Sequence, residues 1–159
     1  MLALDDPLWS ALHHAFGTAE DIPRLLSALA TIEGERERAE LWLGLWATLA
    51  QDGPGLSASY AAVPHVLAMS EGRAEEEKVQ ALHFAATVEM NRHLPGAASI
   101  HERVVEDYAA AIESLPRRVM ELVDAPWPGD VARVLASVLL VGKRHPQLAR
   151  VLLSSGDDT

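Results

Sequence analysis

The chain has no cysteine among its 159 residues. Disulfide bonds, thiolate metal ligands and cysteine nucleophiles are therefore excluded. Its longest strongly apolar run, residues 134–141, is far shorter than the roughly 20 residues that a membrane-spanning helix needs. The first six residues lack a basic segment and already include Asp5 and Asp6, a pattern unlike a secretory signal peptide. From these absences we expect a soluble, cytoplasmic protein with no membrane partner.

Basic residues are also few. Thirteen Lys and Arg oppose 23 Asp and Glu, which gives a formal net charge of −10 at pH 7, and the basic residues are scattered along the chain. Such a surface repels a phosphate backbone, so we expect no nucleic-acid partner. Solubility is the simplest explanation of the negative charge, and a basic protein partner is the more specific one.

Aromatic residues make up only 5% of the chain, but four of them are tryptophans. Trp9, Trp42 and Trp46 recur at helical spacing among other apolar residues, which predicts that they pack in the core. Trp127 lies between two prolines, Pro126 and Pro128. It either fills the space between two helix layers or stands exposed as an anchor for a partner, because tryptophan is enriched at interface hot spots.

The remaining composition is that of an ordinary globular domain. The hydrophobic fraction is 49% and the charged fraction 23%, close to the averages of about 45–50% and 25%. The length fits one domain of about 150 residues, which we assign to residues 1–159. Residues 154–159 are expected to form a frayed tail.

Apolar residues repeat with a helical period, as in Ile22, Leu25, Leu26, Leu29 and Ile32. We find no alternating run and predict an all-α fold with no sheet. Eight helices are predicted: a short one from Pro7 to near Gly17, then others between Thr18 and Gly34, at about 35–51, from Ser57 as its cap to Gly72, at about 74–92, at 100–122, after Asp130, and after Pro146.

Two details of these helices carry structural expectations. The third helix becomes apolar nearly all round, which predicts that it is buried between neighbours. The residues concerned are Leu41, Trp42, Leu43, Leu45, Trp46 and Leu49. Pro116 interrupts the sixth helix, either as a kink or as the first turn of a separate helix.

Short connections leave two architectures, a short superhelix of antiparallel helix pairs or a globular helical bundle. Pairing the second helix with the third, the fourth with the fifth and the sixth with the seventh gives starts near residues 19, 57 and 98. A repeat of about 40 residues is in the range of HEAT and armadillo repeats. We favour the superhelix.

One stretch carries a family resemblance. Trp42, Trp46 and Gly53 precede the run 58–65, Ala-Ser-Tyr-Ala-Ala-Val-Pro-His. This stretch resembles a group of bacterial HEAT-like proteins that have a tryptophan-bearing helix, then His-Gln-Gly, then Ala-Ser-Tyr-Ala-Ala-Val-Pro-His-Leu. The chain has Gln51-Asp52 in place of His-Gln and so lacks that imidazole. Some members of the group occur beside secreted toxins and are regarded as immunity proteins. The resemblance therefore implies a HEAT-like fold and a binding role.

We expect a non-enzymatic protein-binding module, with no catalytic residue, metal or cofactor. Its partner would be a basic protein, in one version a toxin that it neutralises. The expected working surface combines residues 51–60 with the acidic stretches 33–40 and 71–77. The candidate binding residues are Gln51, Asp52, Ser59, Tyr60, His65, Glu75, Glu76, Glu77 and Trp127.

The alternative is a small metal- or ligand-dependent enzyme built on histidine and carboxylate side chains. Glu89 and His93 are four residues apart on one predicted helix, a spacing at which two side chains can share a cation. His65 and His83 lie on apolar stretches of neighbouring helices. Histidines in such positions are more often satisfied core residues than ligands or bases.

Overall fold

The computed structural model describes residues 1–155. Within this range the chain forms a short 3₁₀ helix at Pro7–Ala11, a two-stranded ladder and seven α-helices. The helices are α1 (Ile22–Thr31), α2 (Glu35–Leu49), α3 (Ser57–Met69), α4 (Glu75–Arg92), α5 (Val105–Met120), α6 (Gly129–Gly142) and α7 (Pro146–Ser154). The all-α prediction is confirmed. None of the described helices combines the length and apolar character that crossing a bilayer requires.

The helices pack as successive pairs. Helix α1 contacts α2, α3 contacts α4, and α5 contacts α6. Between pairs, α1 lies on α3, α3 on α5, and α4 on α6, while α7 covers α6 and α4. Because short loops join the members of each pair, those members run in opposite directions. The first helix of each pair thus belongs to one layer of a stack, and the second helix of each pair belongs to the other layer.

The first predicted helix begins at Pro7 with Asp6 as its cap, as predicted, but it is a 3₁₀ helix that ends at Ala11, and the prediction of no sheet was wrong. Asp6 accepts a hydrogen bond from the Leu8 N–H (2.9 Å) and caps only the 3₁₀ turn. The chain then forms an antiparallel ladder of β1 (His13–His14) and β2 (Gly17–Thr18), so there are seven α-helices and not eight. Two-residue strands are too short to show an alternating pattern. Ala15 and Phe16 form the turn between them, and Gly17, with φ of 145°, is the first residue of β2.

Helix α3 is the buried centre of the stack, and α2 is not. Nearly every side chain of α3 is buried, whereas Leu43 of α2 is 70% exposed. The prediction that the third helix is enclosed was wrong because α2 belongs to the first pair and has no further pair beyond it. Ser57 does not cap α3 either, because its hydroxyl accepts a hydrogen bond from the His13 N–H (2.8 Å) and Leu56 occupies the cap position.

Two prolines lie inside helices without ending them. Helix α5 runs through Pro116 from Val105 to Met120, so Pro116 does not start a separate helix. The sixth helix begins later than predicted, after a turn at residues 101–104. At the other end Ser154 is still helical, and residues 156–159 of the predicted frayed tail lie outside the described residues.

Candidate functional site

Three of the predicted binding residues use their polar groups in contacts inside the protein. Ser59 donates a hydrogen bond to the Leu49 carbonyl (2.5 Å) and the Tyr60 hydroxyl donates one to the Ala98 carbonyl (3.1 Å), and both residues are fully buried. His65 Nε2 lies 2.8 Å from the Leu2 carbonyl. Burial raises the pKa of Tyr60 to about 12 and lowers the pKa of His65. These side chains connect helices to loops and offer nothing to a partner.

Gln51 and Asp52 do line a groove, of about 520 Å³, that runs from the end of α2 across α4 to α7. Its walls include His83, whose ring lies 5.0 Å from the Trp46 ring between centroids, and Arg150 of α7. Burial lowers the pKa of His83, so its imidazole is held neutral. The groove is open, and the charged residues in its lining are Asp52 and Arg150.

Glu77 belongs to an internal ion pair. Arg38 Nε and Nη2 donate to its two carboxylate oxygens at 2.6 and 2.8 Å. Arg38 is only 6% exposed, and its Nη1 also donates to the Leu29 and Ile32 carbonyls at the end of α1. The pair therefore ties α1, α2 and α4 together, and Glu77 is not free for a partner.

The structure brings Glu75, Glu76 and Trp127 together around one groove, although they are about fifty residues apart in the chain. We call it the Trp127 groove. It has a volume of about 390 Å³, and all three residues belong to its lining. Its remaining lining is apolar and consists of Val79, Leu122, Ala125, Pro126, Pro128, Val131 and Leu135.

Trp127 packs against the core and also lines the Trp127 groove. Its ring is half-buried and packs against the core, and Nε1 donates a hydrogen bond to the Leu122 carbonyl (2.9 Å). The same ring forms a wall of the groove. The indole is thus fixed in place with part of its surface facing outward.

Glu89 is the centre of a polar cluster that the sequence indicated only in part. The predicted neighbour His93 places Nε2 3.0 Å from Glu89 Oε1. The structure adds Arg92, which donates from Nε and Nη2 at 2.8 and 2.6 Å, and the Tyr108 hydroxyl at 2.7 Å. Burial alone would raise the pKa of Glu89, but these hydrogen bonds outweigh it and lower the pKa.

A sequence signal for this cluster existed. Glu89 follows Leu82 by seven residues, and Ala85 and Ala86 lie between them, so the carboxylate falls on the buried face of the helix. A charged residue on such a face needs a partner. Nothing local to α4 indicates that Tyr108 of α5 is one of its partners, because that contact depends on how the helices pack.

The arrangement does not favour metal chemistry. Among residues 1–155, no three His, Asp or Glu side chains are grouped so that they could hold a metal ion. Both oxygens of Glu89 already accept hydrogen bonds, while His65 and His83 lie in other environments, beside Trp9 and Trp46 respectively.

Comparison with protein-family models, with curated proteins and with solved structures finds no match to this chain.

Proposed function

We propose that this protein is a non-enzymatic binding module that holds a basic and apolar segment of a partner protein in the Trp127 groove. The observation that carries the proposal is the groove itself, whose lining combines a fixed tryptophan and apolar side chains with two glutamates, Glu75 and Glu76. Such a site accepts an apolar side chain and a neighbouring lysine or arginine at the same time.

Trp127 is suited to be an anchor because it has little conformational freedom left to lose when a partner binds. Its flanking prolines restrict the backbone, and the hydrogen bond from Nε1 to the Leu122 carbonyl fixes the ring. A preorganised aromatic surface lowers the entropic cost of binding. Tryptophans in partly enclosed positions are also the residues that most often dominate binding energy.

The charges favour a basic partner. Glu75 and Glu76 are exposed in the first turn of α4, and neither forms an ion pair with any residue in the range 1–155. The net charge of −10 adds a long-range attraction. Complementary charge of this kind mainly speeds association and selects against acidic partners.

The resemblance to bacterial HEAT-like proteins supports a binding role and suggests one form of it. Stacked helix pairs provide extended surfaces for protein partners. Because some members of that group are regarded as immunity proteins, we propose that the partner is a basic toxin that the protein neutralises in the cytoplasm.

A peptide selection tests the groove and requires no purified partner. Random peptides are selected on the folded protein, and their affinities are measured for the wild type and for Trp127→Ala. We expect enrichment of sequences that join Lys or Arg to large apolar residues, and a loss of affinity of about tenfold or more in the variant, as for a hot-spot residue. Enrichment of acidic sequences, or equal binding by Trp127→Ala, would contradict the proposal.

A matched pair of charge reversals tests the carboxylates. Glu75→Lys with Glu76→Lys is compared with Glu35→Lys and Glu37→Lys, which change two exposed carboxylates in the first turn of α2. Both variants alter the net charge equally. The first should weaken the selected peptides more than the second, with a difference that is largest at low salt. Equal weakening would show that only the overall charge matters.

A further inference from the structure

A third cavity, of about 380 Å³, lies between α4, α5 and the junction of α6 with α7, and it is separate from the Trp127 groove. We call it the Arg92 cavity. Its walls are largely apolar and include Ile112, Val141 and Pro146, and charged residues also belong to its lining. Its volume is in the range of small-molecule sites, which combine apolar walls with a few convergent polar groups.

Glu89 orients one of these charged groups. It is 7% exposed and accepts from Arg92 through Nε and Nη2, so the guanidinium plane is fixed. With Tyr108 and His93 also bonded to it, Glu89 has no oxygen left for a cation. Arg92 Nη1 donates to no residue that the structure describes. The fixed arginine thus retains donors for an acceptor from outside.

Arg144 is the second charged group, and its backbone is unusual. Its φ is 67°, and it is the only non-glycine residue within 1–155 with a positive φ. It ends α6 with the His145 N–H bonded to the Leu140 carbonyl, a helix end at which glycine is the usual residue. Arginine at this position is less stable than glycine. Strain of this kind is found most often at functional sites.

The side chain of Arg144 is available at the mouth of the cavity. Its contact with Glu113 is 3.5 Å long and joins side chains that are 87% and 69% exposed. An ion pair between such exposed groups contributes little, so a stronger acceptor can replace Glu113.

We propose that the Arg92 cavity binds a small organic monocarboxylate, with its apolar body against Ile112 and Val141 and its carboxylate on Arg92 Nη1 and Arg144. Two arginines and two glutamates line the cavity, so its lining has no net charge. A ligand with one carboxylate can take the place of the exposed Glu113 carboxylate on Arg144 and accept from Arg92 Nη1, whereas a second carboxylate would have no further arginine in the lining. This site is independent of the proposed protein-binding groove.

The test uses benzoate and hexanoate as probes, with benzamide as the neutral control. Each is titrated into the isotope-labelled protein, and binding is followed by amide chemical shifts. We expect both carboxylates to shift residues around the cavity and benzamide to bind at least about fivefold more weakly, since charge-assisted hydrogen bonds to arginine are lost. Absence of shifts at the cavity, or equal affinity for benzamide, would overturn the proposal.

The decisive variant is Arg144→Gly, because its effect on binding can be measured on a protein that the substitution does not destabilise. It should weaken benzoate binding at least about fivefold while the unliganded protein melts at the same or a higher temperature, since glycine is unstrained at this φ. Arg36→Gln removes another exposed arginine and should leave benzoate affinity unchanged. Unaltered benzoate affinity in Arg144→Gly would refute the role of Arg144 and with it the site.

Discussion

Replacement of Arg38 by alanine gives the sharpest test of how the helix stack is held together. The substitution removes both hydrogen bonds to Glu77 and both hydrogen bonds to the carbonyls of Leu29 and Ile32. Those carbonyls are at the end of α1, where helical partners are missing. Glu77 would be left as an unpaired, mostly covered carboxylate, with a side chain that is 23% exposed.

The expected loss is about 3 kcal/mol in the free energy of unfolding. Removing one partner of a buried pair costs roughly 3–5 kcal/mol, and the low end applies because Glu77 can reach water. For a chain of this length, each kcal/mol lowers the melting temperature by about 2–4 °C. The melting temperature should therefore fall by about 6–12 °C.

Arg36→Ala is the matched control on the same helix. Arg36 pairs with Glu40 at 3.3 Å, but both side chains are well exposed, so its removal should cost no more than about 0.5 kcal/mol. Urea unfolding followed by tryptophan fluorescence measures both variants. Should the two alanine variants lose the same stability within about 0.5 kcal/mol, the assignment of Arg38 as the link between α1, α2 and α4 would be refuted.

Two further predictions concern packing and pH. A Cβ on Gly142 would lie 2.5 Å from Pro116 Cδ, so Gly142→Ala should lower the free energy of unfolding by about 1–3 kcal/mol. Gly44 has open space around it, so Gly44→Ala should raise the free energy of unfolding by about 0.5–1 kcal/mol. Urea unfolding measures both variants, and the reverse order would contradict the α5–α6 packing. Burial lowers the pKa of His83 from 6.5. The neutral, buried His83 therefore contributes fully to the free energy of unfolding above pH 6.5, and this contribution is lost as the pH falls below 6.5, because the unfolded chain then binds a proton more readily than the folded one. His83→Phe should flatten the decline of unfolding free energy on that acid side, and an unchanged decline would exclude His83 as a cause.

Much of the fold was predictable because helical periodicity is a local property. The helix predicted at 35–51 is observed at Glu35–Leu49, and the one predicted at 74–92 is observed at Glu75–Arg92. Turn residues between the apolar stripes marked these ends. The short ladder at His13–Thr18 was missed because its strands pair over only two residues each, fewer than any pattern can reveal.

The residues of the candidate site could be predicted from the sequence, but their arrangement in space could not. The sequence singled out Glu75, Glu76, Glu77 and Trp127 without separating their roles. Only the packing of α4 against α2 assigns Glu77 to Arg38, and only its packing against the connector before α6 brings Glu75 and Glu76 into one groove with Trp127.

The sequence by itself determined that the chain is helical and acidic, because both properties follow from the order and kind of side chains over a few turns. The tertiary structure alone decided which charges are satisfied. Glu89 meets Tyr108 across nineteen positions and Arg38 meets Glu77 across thirty-nine. Contacts over such separations depend on how the helix pairs stack, since no local pattern specifies which faces of distant helices meet.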